Sequence, residues 1–219
     1  MIQPSTLEFL NLLKKNNKRE WFEKNRLKYE SALDDVHSFL AKLIEASSVF
    51  DTSLSGLTPK NTLMRIYRDV RFSKNKEPYK NNFGASLSKG GKKMAFAGYY
   101  LHLEPGKSFI AGGMHMPEPD KLFKVRQEIS YNTKEFKKII ENKSFKKYFH
   151  QMWDGDKLKT APKGFPKDHP EIELLKFKSY MVTHDFNDKQ VLDKNFLKSC
   201  LAVFKEIKPL NDFLNRALD

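Results

Sequence analysis

The sequence predicts an α+β fold: a single domain over residues 1–219, with an antiparallel, hairpin-rich sheet flanked by N- and C-terminal helices. Apolar residues recur at helical spacing near both ends of the chain, whereas residues 94–116 alternate in polarity around a turn. Terminal helices around a hairpin-rich centre are typical of the α+β class. A helical sub-domain over residues 1–55 is the alternative organisation.

Two helices are predicted at the N-terminus. Ser5 and Glu8 form a capping-box pattern before the first apolar residues, which predicts a short helix. Apolar residues then recur every three or four positions from Phe22 to Ile44. This spacing predicts a long amphipathic helix that ends near Ser48.

Residues 63–72 permit two interpretations. Alternation would place apolar residues on one face of a strand and charged residues on the other, whereas helical spacing groups Leu63, Ile66 and Val70. The aromatic and β-branched content favours the strand. Residues 73–82 have turn composition and include a proline, which predicts a loop.

The clearest β element is a hairpin within residues 94–116. Alternation from Ala95 onward predicts the first strand, Glu-Pro-Gly-Lys at 104–107 predicts the turn, and residues 108–114 predict the return strand. Gly98 and the pair Gly112 and Gly113 fall near one another across this hairpin. Bare backbone at these positions permits a bulge or a close approach.

The C-terminal half is predicted to be mainly helical. Pro119 suits the first position of a helix, and Asn132 with Glu135 predicts the start of another. A short helix over 171–177 and a strand over 180–186 follow, and then two terminal helices. Their apolar residues include Phe196, Cys200, Phe204, Ile207, Leu210 and Phe213, so Cys200 is predicted to lie in the core.

The composition predicts a basic, cytoplasmic protein. Lys and Arg number 40 against 27 Asp and Glu, which gives a net charge of +13. No apolar run approaches the roughly 18 residues of a membrane span, no secretory signal is visible, and a lone cysteine fits a reducing compartment. We expect no membrane partner. The charge favours anionic partners, although simple solubility explains the total equally well.

Residues 65–80 form the strongest candidate for a binding site. Six cations stand there against only Asp69 and Glu77, and aromatic residues are interspersed among them. Guanidinium groups bind phosphate or carboxylate bidentately, and tyrosine adds a hydroxyl group and a stacking face. Salt bridges through Asp69 are the structural alternative. The predicted ligand-binding residues are Arg65, Arg68, Arg71, Lys74, Tyr79, Lys80 and, from the hairpin, Tyr100.

Candidate catalytic residues are few, because the chain lacks the common nucleotide-binding and hydrolase motifs. His102 lies mid-strand beside Tyr100 and Glu104 on the polar face, where imidazole suits proton transfer. We predict catalytic roles for His102 and His169. Local hydrogen bonding for His102, and helix capping for His169, are the alternatives.

Other reactive groups have little support from the sequence. Ser73 and Ser86 are nucleophile candidates that no motif supports. The six histidines lack tight metal-ligand spacing, and the chain has one cysteine, so we predict no metal and no cofactor. A metal site assembled from distant residues, such as His102, His169, His184 and Asp185, is the alternative.

The segment from Arg65 to Lys80, Arg-x-Tyr-Arg-Asp-x-Arg-Phe-Ser-Lys-x-Lys-x-Pro-Tyr-Lys, resembles the signature of a family of conserved hypothetical proteins, a domain of unknown function found in bacteria and fungi. The resemblance continues through residues 98–106, 112–119 and 158–170. It departs at His115, where similar sequences carry tryptophan.

The resemblance implies a single domain and names no reaction. It also implies that four blocks converge on one pocket. These are the Arg65–Lys80 segment, the strand with Tyr100 and His102, the Gly112–Gly113 turn, and the loop from Lys163 to His169.

Two functions follow from these residues. The first is a pocket for a phosphorylated or carboxylated small molecule, in an enzyme of hydrolase or transferase type or in a binding protein. The alternative is a sequence-nonspecific nucleic-acid-binding protein, with lysines on phosphates and tyrosines stacked on bases. Arg71→Ala would abolish ligand binding in the first case and weaken it modestly in the second. A module for an acidic protein partner is a third, weaker hypothesis, and the oligomeric state is left open.

Overall fold

A four-stranded antiparallel sheet is the framework of the protein. The structure, a computed structural model, describes residues 1–71, 74–93 and 96–218. Three residues with predicted roles, Phe72, Ser73 and Ala95, lie outside the described residues. The strands β1 (Phe83–Leu87), β2 (Gly98–Leu103), β3 (Ser108–Met114) and β4 (Tyr180–Phe186) lie side by side in chain order. The architecture confirms the α+β class with helices at both ends.

Ten α-helices accompany the sheet in the described part of the chain. They are α1 (Pro4–Lys15), α2 (Arg19–Lys24), α3 (Arg26–Ser48), α4 (Pro59–Thr62), α5 (Pro119–Tyr131), α6 (Thr133–Ile140), α7 (Lys143–Tyr148), α8 (Ile172–Leu175), α9 (Asp188–Val191) and α10 (Phe196–Arg216). No helix within the described ranges is both long enough and apolar enough to cross a membrane.

The N-terminal helices begin differently from the prediction. Helix α1 starts at Pro4 with Gln3 at its N-cap, and no side chain caps it, so the predicted capping box is wrong. Proline suits this position because the first helical N–H groups have no partner within the helix. Helix α3 ends at Ser48 as predicted, but the apolar stripe breaks at Asn25, whose amide donates to the carbonyl of Trp21 and separates α2 from α3.

The predicted strand over residues 63–72 is not a regular strand. Leu63 forms an isolated bridge with Ala85 of β1, and Tyr67 forms another with Tyr79. The extended chain therefore changes partner, from β1 to residues 78–80. Pro78 has no N–H to donate, which prevents a continuous ladder there.

The C-terminus holds one long helix, so the prediction of two terminal helices is wrong. Helix α10 continues through Pro209. A proline inside a helix removes one hydrogen bond. Buried side chains on both sides of it, including Phe204 and Phe213, hold the two halves in one line against the sheet. Cys200 is buried in the same stripe, as predicted.

Helix α10 covers one face of the sheet, the inner face. Gly112 permits this close packing, because a Cβ atom there would lie 2.2 Å from Ile207. Tyr99 stacks on Phe204, with 4.2 Å between ring centroids, and its hydroxyl donates to buried Asp51. The opposite face, called the outer face below, carries the alternate residues of each strand. These are Gly84, Ser86, Gly98, Tyr100, His102, Phe109, Ala111, Gly113, Met181, Thr183 and Asp185.

Candidate functional site

Tyr100, His102 and Glu104 form a hydrogen-bonded row along the outer face of the hairpin, because alternate residues of a strand share a face. Nε2 of His102 lies 3.0 Å from Oε2 of Glu104, and Nδ1 lies 3.4 Å from the hydroxyl oxygen of Tyr100. An ionised carboxylate only accepts hydrogen bonds. Neutral His102 therefore carries its proton on Nε2 and presents Nδ1 as an acceptor to Tyr100.

The surroundings of the row hold the imidazole in place. Asn81 donates to the second carboxylate oxygen of Glu104 at 3.0 Å. Phe109 stacks on His102, with ring centroids 4.6 Å apart and an angle of 15° between the planes. The side chains of His102 and Glu104 are each 14% exposed. The imidazole is thus fixed in orientation and largely shielded from water, an arrangement that suits directed proton transfer.

Tyr100 closes the row at the other end. Its ring lies over Gly84 of β1, whose missing side chain leaves the necessary room. Burial raises the pKa of the Tyr100 hydroxyl. The hydroxyl group therefore keeps its proton at neutral pH and can donate a hydrogen bond to Nδ1 of His102.

An apolar cavity of about 340 Å³ adjoins Tyr100 on the outer face. Its floor consists of small residues, Gly98, Ala111 and Gly113, with Ser86 along one side. Ser86 is 2% exposed, and its hydroxyl has no hydrogen-bond partner among the described residues. The larger lining residues include Met64, Phe96, Tyr100, Phe109, Met114, His115, Pro117 and Met181.

Arg65, Arg68 and Lys80 form a second feature, called the cation cluster below. Burial, then repulsion by Arg65 and Arg68, lowers the pKa of the Lys80 ammonium. Within the described ranges no carboxylate lies at ion-pair distance from Arg65 or Lys80, and Glu77 stands 3.7 Å from Arg68. Nε of Arg68 is buried without a partner. The cluster is therefore short of negative charge.

The chain joins the cation cluster to the row. Asn81, which binds Glu104, directly follows Lys80. The backbone N–H of Lys80 donates to the carbonyl of Ile66 at 2.8 Å and ties it to the segment that carries Arg65 and Arg68. The cluster therefore flanks the end of the row at Glu104, although its side chains do not line the cavity.

The other basic residues of the segment differ from the cluster. Arg71 makes a bidentate pair with Asp69, at 2.7 and 3.1 Å, and this pairing lowers the pKa of the Asp69 carboxyl group. The salt-bridge alternative therefore applies to Arg71. Lys74 is exposed, and Lys76 donates to the carbonyl of Val70. Ligand roles for Arg71 and Lys74 stay predictions.

Tyr79 is part of the core rather than of an open surface. Its ring is 2% exposed and stacks on Phe22, with 4.0 Å between centroids. Its backbone N–H and carbonyl both bind the side chain of Asn17. These contacts hold the basic segment against α2, and a ligand contact for the Tyr79 ring stays a prediction.

His169 is held by local hydrogen bonds just before α8, whose N-cap is Glu171. Its Nδ1 accepts a hydrogen bond from the backbone N–H of Glu171 at 3.0 Å, just before α8, and its Nε2 lies 2.8 Å from Oγ of Ser130. Gly164, in the same loop, packs close to Phe123 of α5. The loop over 163–169 does not line the cavity, whereas the strand with Tyr100 and the pair Gly112 and Gly113 do. A catalytic role for His169 stays a prediction.

Three contributors to the site were missed at the sequence level: strand β1, Asn81 and Phe109. The alternation of Phe83, Ala85 and Leu87 with small residues is a signal that could have revealed β1. Nothing in the sequence pairs Asn81 with Glu104. In the described ranges, no three His, Cys, Asp or Glu side chains are grouped closely enough to hold a metal ion.

Comparison with known proteins gives one match. A family model described as "Conserved hypothetical protein (DUF2461)" matches residues 5–213. Neither the comparison with curated proteins nor the comparison with solved structures gives a significant match. The signature at residues 65–80 and its range of organisms stay predictions.

Proposed function

The chain belongs to the DUF2461 family of conserved hypothetical proteins, and from this premise we propose that it binds an anionic small molecule on the outer face of the sheet and transfers a proton to or from it. The observation that carries the proposal is the row from Glu104 through His102 to Tyr100, which ends at an apolar cavity. Tyr100 lines this cavity, and we assign the proton transfer to its hydroxyl.

The cation cluster supports an anionic ligand. Clustered cations that are partly desolvated and short of counter-charge are costly in the free protein. A phosphate or carboxylate near Lys80 and Arg68 would relieve that cost through charge-assisted hydrogen bonds. We therefore assign the negative end of the ligand to this cluster.

The row supports removal of a proton from the ligand or from an attacking hydroxyl group. As the proton passes to the Tyr100 oxygen, the Tyr100 proton passes to Nδ1 of His102, and Glu104 stabilises the resulting imidazolium. The reverse transfer restores the row. Activation of water or of an acceptor hydroxyl is the step that hydrolases and transferases share, so the reaction belongs to one of these types.

Nucleic-acid binding is the second candidate function. Tyr67 is 43% exposed and stands between Arg65 and Arg68 in the chain, as expected for a stacking residue beside phosphate-binding cations. This function predicts binding that weakens steeply with salt and depends on many lysines. It assigns no role to the shielded row.

Titration calorimetry with inorganic phosphate and phenyl phosphate tests the anion site. Lys80→Met is expected to lower both affinities at least tenfold, whereas Lys146→Met, at an exposed position of α7, leaves them unchanged. Equal weakening by the two variants would contradict a defined anion site and favour a diffuse basic surface.

Hydrolysis of 4-nitrophenyl phosphate and 4-nitrophenyl acetate tests the proton transfer. His102→Gln is expected to retain phosphate binding and lose turnover, whereas His150→Gln, at an exposed position, keeps both. Wild-type turnover no faster than that of His102→Gln on both esters would contradict the catalytic part.

A further inference from the structure

The floor of the outer-face cavity is nearly free of side chains. Gly98 and Gly113 face one another across β2 and β3, and Ala111 lies beside them. The ring of Tyr100 leans away over Gly84 and leaves this floor open. A floor of backbone and one methyl group has few protruding side chains, and a flat apolar ligand would make the most contact with it.

The walls of the cavity are aromatic rings and thioethers. Phe96, Tyr100 and Phe109 supply the rings, and Met64, Met114 and Met181 are the methionines among the lining residues. Aromatic side chains pair favourably with a further ring in stacked or edge-on contact, and thioethers contact ring edges favourably. The cavity volume lies within the range of about 300–1,000 Å³ that is usual for small-molecule sites.

Ser86 adds one directional contact. Ser86 lines the cavity at the side of the floor, and its hydroxyl has no protein partner in the described part of the chain. A ligand with a hydrogen-bonding substituent could pair with this hydroxyl, in surroundings that are otherwise apolar. A plain alkyl chain would leave the hydroxyl unpaired.

We infer that the ligand is an aryl or heteroaryl compound whose flat ring lies on the Gly98–Ala111–Gly113 floor and whose polar ring substituent binds Ser86. The assignment of an anionic group to the same molecule rests on the proposed function, since the cavity alone determines only the ring. Combined with the proposed function, the inference names an aromatic phosphate or carboxylate as the substrate class.

Phenol and cyclohexanol separate an aromatic site from a general apolar one, because both carry a hydroxyl group on a six-membered ring and only phenol is flat and aromatic. We expect phenol to shift the backbone amide resonances of Gly98, Ala111 and Gly113 in NMR titrations, and to bind at least tenfold more tightly than cyclohexanol. Ala111→Leu, which fills the floor, is expected to weaken phenol at least tenfold. Lys146→Met is the control and leaves phenol binding unchanged.

Ser86→Ala is the second variant and preserves the apolar floor if Ala111→Leu fails to fold. It is expected to weaken phenol about tenfold while leaving benzene binding unchanged. Equal affinity for phenol and cyclohexanol, or phenol binding that neither cavity variant changes, would overturn the inference.

The two proposals fail separately in this design. Inorganic phosphate reports the cation cluster alone, and neutral phenol reports the cavity alone. Phenol binding without phosphate binding would contradict the proposed anion site and support the aromatic site. Phosphate binding without phenol binding would contradict the aromatic site and support the anion site.

Discussion

A Cβ atom on Gly84 would lie 2.3 Å from the hydroxyl oxygen of Tyr100, a separation that two such atoms do not adopt in proteins. Gly84 pairs with His102 across β1 and β2, so the Tyr100 ring crosses bare backbone beside the imidazole. The absence of a side chain at position 84 therefore determines where the hydroxyl stands.

Gly84→Ala is expected to destabilise the fold by about 1–3 kcal/mol, as overpacking commonly does, and to displace the Tyr100 hydroxyl from His102. In a Tyr100→Phe background the nearest remaining ring atom is Cζ at 3.0 Å, so the cost should fall by about half. Urea unfolding of the four proteins in a double-mutant cycle measures this coupling. The same cost in both backgrounds would show that the contact with the hydroxyl does not matter.

Glu104 is expected to control the tautomer of His102. Because its carboxylate accepts from Nε2, the neutral imidazole of the wild type should hold the Nε2–H form, and Glu104→Leu should mix the two tautomers. Long-range ¹H–¹⁵N correlation spectra distinguish them. His169 provides an internal control, since its Nδ1 accepts from the N–H of Glu171 and its Nε2 faces Ser130 in both proteins. An unchanged His102 spectrum in Glu104→Leu would contradict the assigned row.

Local sequence patterns predicted the parts of the fold that depend on neighbours along the chain. The polarity alternation around Pro105 predicted the central hairpin, and with it the common face of Tyr100, His102 and Glu104. The strand Tyr180–Phe186 was predicted with its observed bounds. These features follow from the two-residue period of a strand, which the sequence displays directly.

Long-range pairing accounts for what the patterns did not predict. Strand β1 escaped prediction because Gly84 and Ser86 have low strand propensity and gain their place from β2. A proline removes one hydrogen bond inside a helix, yet α10 continues through Pro209 because long-range burial along the helix outweighs that loss. Charge counting could not separate Arg71 from Lys80, because pairing with Asp69 depends on the local chain geometry.

Asp69→Asn is expected to strengthen phosphate binding, because it releases the guanidinium of Arg71 from its bidentate pair. The pKa of the Asp69 carboxyl group is lowered in the fold. The pair therefore stabilises the fold at pH values above the usual pKa of aspartate, and this stabilisation is lost as the pH falls through the lowered pKa. The site is exposed, so the unfolding midpoint at pH 7 should hardly change.

Arg71→Ala should weaken phosphate binding less than Lys80→Met does, contrary to the expectation from sequence. A larger loss in Arg71→Ala, measured by calorimetry, would place the anion at Arg71 instead.

Lys80→Met is expected to stabilise the ligand-free protein while it lowers the affinity for phosphate at least tenfold. The pKa of Lys80 is lowered in the fold, so the unfolded chain holds its proton more tightly. Stability then rises with pH up to the unfolded value of about 10.5, and the cost of the charge is fully present at pH 7. After an allowance for solvent screening, its removal should add about 0.5 kcal/mol, or about 1–2 °C in melting temperature.

The pH dependence of that gain distinguishes charge from packing. The advantage of Lys80→Met should shrink as the pH approaches 10.5, because wild-type Lys80 then loses its proton. Saturating phosphate at pH 7 should also shrink it, because a bound anion offsets the repulsion from Arg65 and Arg68. Thermal unfolding from pH 7 to 10 measures both effects, with Lys146→Met as the matched control. An advantage that stays constant with pH and phosphate would assign the gain to the apolar side chain and would remove the electrostatic argument for an anion at Lys80.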